Sequence, residues 1–430
     1  VLGRVTERSA TVSLVAREPT EVVVEWNKGR RSAPVQLQAG LATEVLLDGL
    51  PQHEPSTYRV LHRAAGSARF DERPAETIQP ARQAGDAFTF TIQGDSHPER
   101  PFMCDPALYA RTLQSIADDS PDLHICMGDD FSIARLNEFT AASVASRYQQ
   151  QRPFLGIVGR RAPVFLVNGN HEQASLWNYS QKGTPHDATV FAQRARNALF
   201  PLPAPDQFYS GNETPLDGIG LLRDYCAWTW GDALFVILDN YWHSPVAVDT
   251  VLGEDDSKGK RDRDLWGVTI GDAQYAWLKR TLETSRAKFK FVFAHHVLGT
   301  SRGGVERAGF FEWGDARNLK RHRPNWEMPI HQLMAKHGVS IFFQGHDHLF
   351  AKQSLDGVVY QTLPVPADPS YAIYNDQHYT TGEKLPNSGY LRVHVGDSVR
   401  VEYVRSYLPK DETPEQKHGA VAHKYEVQPR

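Results

Sequence analysis

The chain has 430 residues, 40% hydrophobic and 23% charged, with a formal net charge of −4 at pH 7. That length accommodates one large domain and a small one, and the composition is that of a globular chain rather than a disordered or fibrous one. No basic excess points to nucleic acid as a partner, and no apolar run nears the roughly 20 residues that span a bilayer. Cys104, Cys126 and Cys226 are the only cysteines, and with no CxxC among them a disulfide framework or a thiolate zinc site is not expected. The chain opens at Val1 rather than Met, which suits one that has lost an N-terminal segment. A cleaved signal peptide would make the protein secreted or periplasmic, although the sequence shows none.

Residues 1–84 read as strands separated by turns. "ATVSLVA" (10–16), "EVVVEWN" (21–27), "ATEVLLDGL" (42–50) and "STYRVLHRA" (56–64) are rich in β-branched and aromatic residues. Gly, Pro, Asn and Asp clusters divide them, a spacing that predicts a small β-sandwich. The stretch "LLDGLPQHEPSTYRV" resembles the end of a fibronectin type III repeat. "QPARQAGD" (79–86) has little to bury, which places the boundary at 84/85.

Beyond it the texture changes to strands alternating with helical patterns. The predicted strands are "AFTFTIQ" (87–93), "DLHICM" (122–127), "APVFLV" (162–167), "ALFVILD" (233–239), "KFVFA" (290–294) and "VSIFF" (339–343). A helix is expected from Pro106 to about Asp118 with Asp105 as its N-cap, and others near 187–199, from Asp272, and at 327–337. This order implies a partly parallel α/β domain with helices packed outside, running from 85 to 405. A hairpin is predicted over 390–404, and residues 406–430 are expected to be a polar tail on the surface.

In open α/β sheets, functional groups collect where strands end. Here the strands end in "GDSH" (Asp95, His97), "GDD" (Asp129, Asp130), "NGNHE" (Asn170, His171, Glu172), "HH" (His295, His296) and "GHDH" (His346, His348). Taken singly, an Asp is a turn residue, an Asn a helix cap and a His a satisfied core residue. Five such ends at one topological position are too many for caps and turns. Three Asp/Asn groups and four His exceed one four-coordinate ion, but they suit two ions sharing a carboxylate.

These blocks, in this order, resemble the calcineurin-like metallophosphoesterases over residues 87 to about 405. The resemblance implies an αββα four-layer catalytic domain and a dinuclear centre. Asp95, His97 and His348 would bind one ion, Asn170, His295 and His346 the other, with Asp129 bridging. Strand alternation sends only one of His295 and His296 into the site, and the resemblance implies His295, since family members most often use the first His after the strand. Purple acid phosphatases, which share a fibronectin-like N-terminal domain, carry Gly where His97 stands and a metal-binding Tyr where Ser132 stands. Protein Ser/Thr phosphatases carry GDxxDRG where this chain reads "GDDFSIA". The nearest likeness is to bacterial members with an Ig-like N-terminal domain, which are often exported.

The implied reaction is hydrolysis of small phosphomono- or phosphodiesters by a metal-bound hydroxide, on two ions of Mn, Fe, Zn or Co. His171 is expected to face the leaving group as general acid or electrostatic stabiliser, with Glu172 orienting its neighbours. Among possible substrate-binding residues, Arg302 and Arg323 are expected to clamp phosphate and Tyr209 to line the pocket wall. The segment 244–265 reads as a loop, and its charge run at 254–265 as solvated, or as a lid. Two other readings stay open: a nuclease-type phosphodiesterase, and an adhesion or binding protein whose metals only stabilise the fold.

Overall fold

Buried on both faces, the apolar run FTFTIQ forms the strand Phe88–Gln93. It pairs in parallel with Leu123–Cys126, which pairs in parallel with Val164–Leu166. Its other edge meets Gly389–Val395 in antiparallel register, followed by Val399–Arg405 and Val421–Val427 to complete six strands. This computed structural model describes the chain apart from residues 28, 65, 134, 174–184, 246–247, 249–264 and 300.

A second, eight-stranded sheet holds Ala233–Ile237, Phe289–Phe293, Ile341–Gln344 and Val358–Thr362 side by side and parallel. Alternation along these strands decides the layering. Phe235, Phe291, Phe293 and Phe343 point to the first sheet, where Phe90 sits with ring centroids 5.1 to 6.5 Å from theirs. Val236, Val292 and Phe342 point outward, onto Tyr275 and Leu278 of the helix Gly271–Thr284 and Leu333 of Ile330–Lys336. Helices Pro106–Asp118 and Ala141–Gly159 cover the outer face of the first sheet, giving helix, sheet, sheet and helix layers. None of the described helices is long and apolar enough to cross a membrane.

Asp105 caps its helix as the sequence predicts, accepting from the N–H groups of Ala107 and Leu108, with Pro106 first in the helix. The helix Ala141–Gly159 was not foreseen, because Gln151, Arg152 and Pro153 interrupt its apolar face; Gln151 and Arg152 are buried nevertheless.

All four predicted N-terminal strands form. Ala10–Val15 and Ala42–Leu47 pair in one sheet, Thr20–Trp26 and Ser56–Ala64 in another. This all-β region is tied to the rest of the chain by buried polar contacts. Arg152 donates to the Ser13 carbonyl at 2.9 Å, and Tyr58 donates to the Arg160 carbonyl at 2.7 Å. The expected C-terminal surface tail is instead partly a strand. His423, Tyr425 and Val427 alternate inward while Lys424 and Glu426 face out, a period-two pattern muted by its edge position.

Candidate metal centre

All five strand-end loops meet at one end of the two sheets, and their backbone is unusual there. His97, Asp129, His346 and His348 have φ of 41°, 52°, 68° and 56°, a region non-glycine residues enter at a cost and keep where the surroundings enforce it. The loops also approach closely: a Cβ on Gly169 would lie 2.2 Å from the backbone nitrogen of Asp129. Glycine is required at that position.

Six of the seven expected ligands fall in two groups of three. Ligand atoms of Asp95, His97 and His348 lie within 4.8 Å of one another, as do those of Asp129, His295 and His346. His348 Nε2 is 3.1 Å from Asp95 Oδ2, and His295 Nε2 is 3.1 Å from Asp129 Oδ2. Asn170 Oδ1 accepts from His346 Nδ1 at 3.0 Å, joining the last of the seven to the second group. His296 turns away, its Nε2 3.5 Å from Asp347 Oδ2.

Second partners fix several of these rings. His295 Nδ1 donates to the Met127 carbonyl at 2.7 Å, which leaves Nε2 to face Asp129. Asp95 Oδ1 accepts the His346 N–H at 2.9 Å. Despite complete burial, His97 Nε2, His295 Nε2 and His346 Nε2 have no hydrogen-bond partner among the described residues. Such an atom costs about 1–3 kcal/mol when left unmet, and these three, grouped with Asp95 and Asp129, fit cation ligands. The oxygen and imidazole donors also match a transition metal.

Electrostatics agree with a site formed for cations. Burial pushes Asp129 and Asp95 up, but the imidazoles of His295, His171 and His348 outweigh it and hold both carboxylates below their usual range. His295 is pulled down by burial, yet Asp129 carries it up to about 10. Burial foremost, then the Asp95 charge, raises Asp130 to about 7.

His171 stands beside Asp129, with ring Nε2 3.8 Å from Asp129 Oδ2 and its backbone N–H donating to Asp129 Oδ1 at 2.8 Å. Burial lowers its pKa well below the usual value, which favours the neutral ring. Three supporting residues escaped the sequence reading. Glu99 Oε1 lies 3.4 Å from His97 Nδ1 and accepts the Ser132 N–H at 2.8 Å. Arg100 Nη2 is 3.2 Å from both ring nitrogens of His171. Asp347 accepts from Tyr379 Oη at 2.6 Å and from the Gly303 N–H at 2.8 Å. Glu99 and Arg100 follow a ligand without any motif; Asp347 was legible only as the residue between two histidines.

The expected substrate residues fare differently. Arg302 reaches the edge of the site, where Nη1 is 3.1 Å from both Asp347 Oδ1 and the His346 carbonyl. It braces the histidine loop. Arg323 does not join the site: it donates to Glu312 at 2.9 Å and to the Trp266 carbonyl at 2.6 Å. Tyr209 is core, with its hydroxyl donating to the Val5 carbonyl at 2.6 Å and its ring among Phe165 and Trp228. Residues 246–247 and 249–264 of the proposed charged loop lie outside the described residues. A further cluster, Asp224, Asp239 and His243, pairs internally and with Asn212 and Asn168, leaving no orphaned atom like those above.

The family model described as calcineurin-like phosphoesterase matches residues 88–350. No curated protein matches. Among solved structures, a dimetal phosphatase from Danio rerio is 15% identical with a TM-score of 0.42, covering 75% of this chain and 98% of that one. GAP50, the anchor in the inner membrane complex of Plasmodium, is 13% identical with a TM-score of 0.42, covering 80% and 89%. The phosphopantetheinyl hydrolase of Mycobacterium tuberculosis is 15% identical with a TM-score of 0.28, covering 66% and 91%.

Proposed function

The chain belongs to the calcineurin-like phosphoesterase family, and on that premise we propose that it is a dinuclear metal-dependent hydrolase of small phosphomono- or phosphodiesters. The observation that carries this reading is the set of buried, unpartnered imidazole nitrogens on His97, His295 and His346 around Asp95 and Asp129. Asp95, His97 and His348 would hold one ion and Asn170, His295 and His346 the other, with Asp129 available to both. When bound, two such cations neutralise phosphoryl oxygens and make a water acidic enough to attack near neutral pH.

The chain's own residues do the rest. Glu172 and the His171 N–H fix the Asp129 carboxylate and its backbone, so the shared ligand is set before substrate arrives. His171 lies beside Asp129 and presents a neutral ring, from which an N–H can stabilise the departing oxygen. Burial keeps water away from the Asp95 and Asp129 side chains, which strengthens every charge interaction there. The same reading takes residues 1–84 as an appended β-sandwich and 85–405 as the catalytic domain.

The test is hydrolysis of a chromogenic phosphodiester beside the matching monoester by protein reloaded with manganese, with chelator as control. Chelator-sensitive turnover is expected, and the ratio of the two rates assigns the ester class. Two bound ions per chain without turnover of either ester would reject the reading.

A further inference from the structure

Among the described residues three arginines are buried, and two of them have scaffold partners. Arg152 donates to the Ser13 carbonyl and hydroxyl, both at 2.9 Å. Arg196 donates to the carbonyls of Arg223 at 2.9 Å and Leu166 at 2.6 Å. Each thus has backbone oxygens for its donors, although Arg152 Nη1 stays without a partner among the described residues.

Arg100 differs. It is only 6% exposed, yet among the described residues no oxygen accepts a well-formed hydrogen bond from its side chain. Nη1 meets the Met103 thioether at 3.6 Å, and Nη2 is shared between the two ring nitrogens of His171. Nε has no hydrogen-bond partner, although Glu99 Oε1 lies 3.3 Å away outside bonding geometry. Glu99 supplies an anion at the Nε edge, but the two terminal nitrogens meet only sulfur and imidazole, which leaves their donors without an oxygen. One imidazole, His171, separates the guanidinium from the Asp129 carboxylate, and the His97 ring lies 5.1 Å from that imidazole. Nη2 of Arg100 therefore lies on the metal-centre side of the residue, one imidazole away from Asp129.

We propose that Arg100 is the phosphoryl-binding cation of this site, donating to non-bridging oxygens of the ester and of product phosphate on the His171 side. The inference rests on the phosphoesterase reading and adds to it the residue that binds the anion. A guanidinium fork suits a tetrahedral oxyanion because two parallel N–H groups match two of its oxygens. Lysine in its place keeps the charge and loses the fork.

The test compares wild type, Arg100→Gln and Arg100→Lys, each loaded with manganese, by calorimetric titration with inorganic phosphate and by KM for a chromogenic phosphodiester. Arg100→Gln is expected to weaken phosphate binding at least about tenfold and to raise KM in parallel, with two ions per chain retained; Arg100→Lys recovers part of both. Phosphate affinity within about twofold of wild type in Arg100→Gln, at unchanged metal content, would overturn the proposal. So would loss of fold or metal in both variants, which would make Arg100 a scaffold residue like Arg152. Phosphate binding is read whether or not the ester is hydrolysed. An inert wild type that binds phosphate through Arg100 would therefore sink the hydrolase reading and leave the anion site standing.

Discussion

The Glu172 carboxylate accepts the backbone N–H of Asp129 at 2.9 Å, so one strand-end loop holds the main chain of its neighbour. The same oxygen accepts the Gly169 N–H at 3.0 Å, and the other accepts the Asp130 N–H at 2.6 Å. Glutamine cannot serve all three, since its amide nitrogen must face an N–H donor. Outer partners of this kind typically contribute about 10–100-fold in metal affinity. Glu172→Gln is expected to lose that much, measured by titrating stripped protein with manganese. Unaltered affinity would remove Glu172 from the support of the centre.

Asp129→Asn tests whether the cluster is catalytic. Turnover of the preferred ester should fall at least about 100-fold, on the order of 3 kcal/mol of transition-state stabilisation. The metal-free variant keeps an oxygen for the His171 backbone N–H but loses the charge opposite His295, so it should melt below metal-free wild type while still folding. A collapse of the fold with retained specific activity of the surviving fraction would mark the ions as structural.

His243 supplies a pH dependence away from the centre. Burial pushes its pKa down, but Asp224, 2.7 Å from Nε2, outweighs this and raises it. A raised folded-state value means the contribution is complete below the unfolded value of about 6.5 and is lost as pH climbs through the folded one. His243→Gln should therefore cost more stability at pH 6 than at pH 9 in denaturant melts. An equal cost at both would show that the pair contributes no charge interaction.

Tyr209→Phe separates core from pocket. Removing its hydroxyl leaves the Val5 carbonyl buried without this donor, a cost of about 1–2 kcal/mol. KM should not move. A changed KM at wild-type stability would return Tyr209 to the substrate site.

Much of the centre was legible because its signal is local. Each of Asp95, Asp129, Asn170, His295 and His346 follows its own apolar strand, and the shared parallel topology brings those ends together. What was illegible depends on partners distant in sequence. Nothing near Tyr209 announces that its hydroxyl meets residue 5, and nothing near Arg323 announces Glu312 and Trp266 as its partners. The strand Val421–Val427 was hidden for a related reason. An edge strand buries only one side against a sheet already formed, so polar residues dominate its composition. Arg100 was missed because its distinction is a lack of oxygen partners, which no linear pattern records.

The antiparallel pairing of Phe88–Gln93 with Gly389–Val395 also sets a timetable for synthesis. Thr89 and His394, bonded across that pair at 2.9 Å, are 305 residues apart. At about 5–20 residues per second, the strand leading to Asp95 leaves the ribosome roughly 15 to 60 s before its second neighbour. Throughout that interval one edge of a strongly apolar strand has no partner and is a template for mispairing. The region matched by the family ends at residue 350, before the closing hairpin begins. A nascent chain that already contains every proposed ligand has therefore still to finish the sheet that carries the first of them.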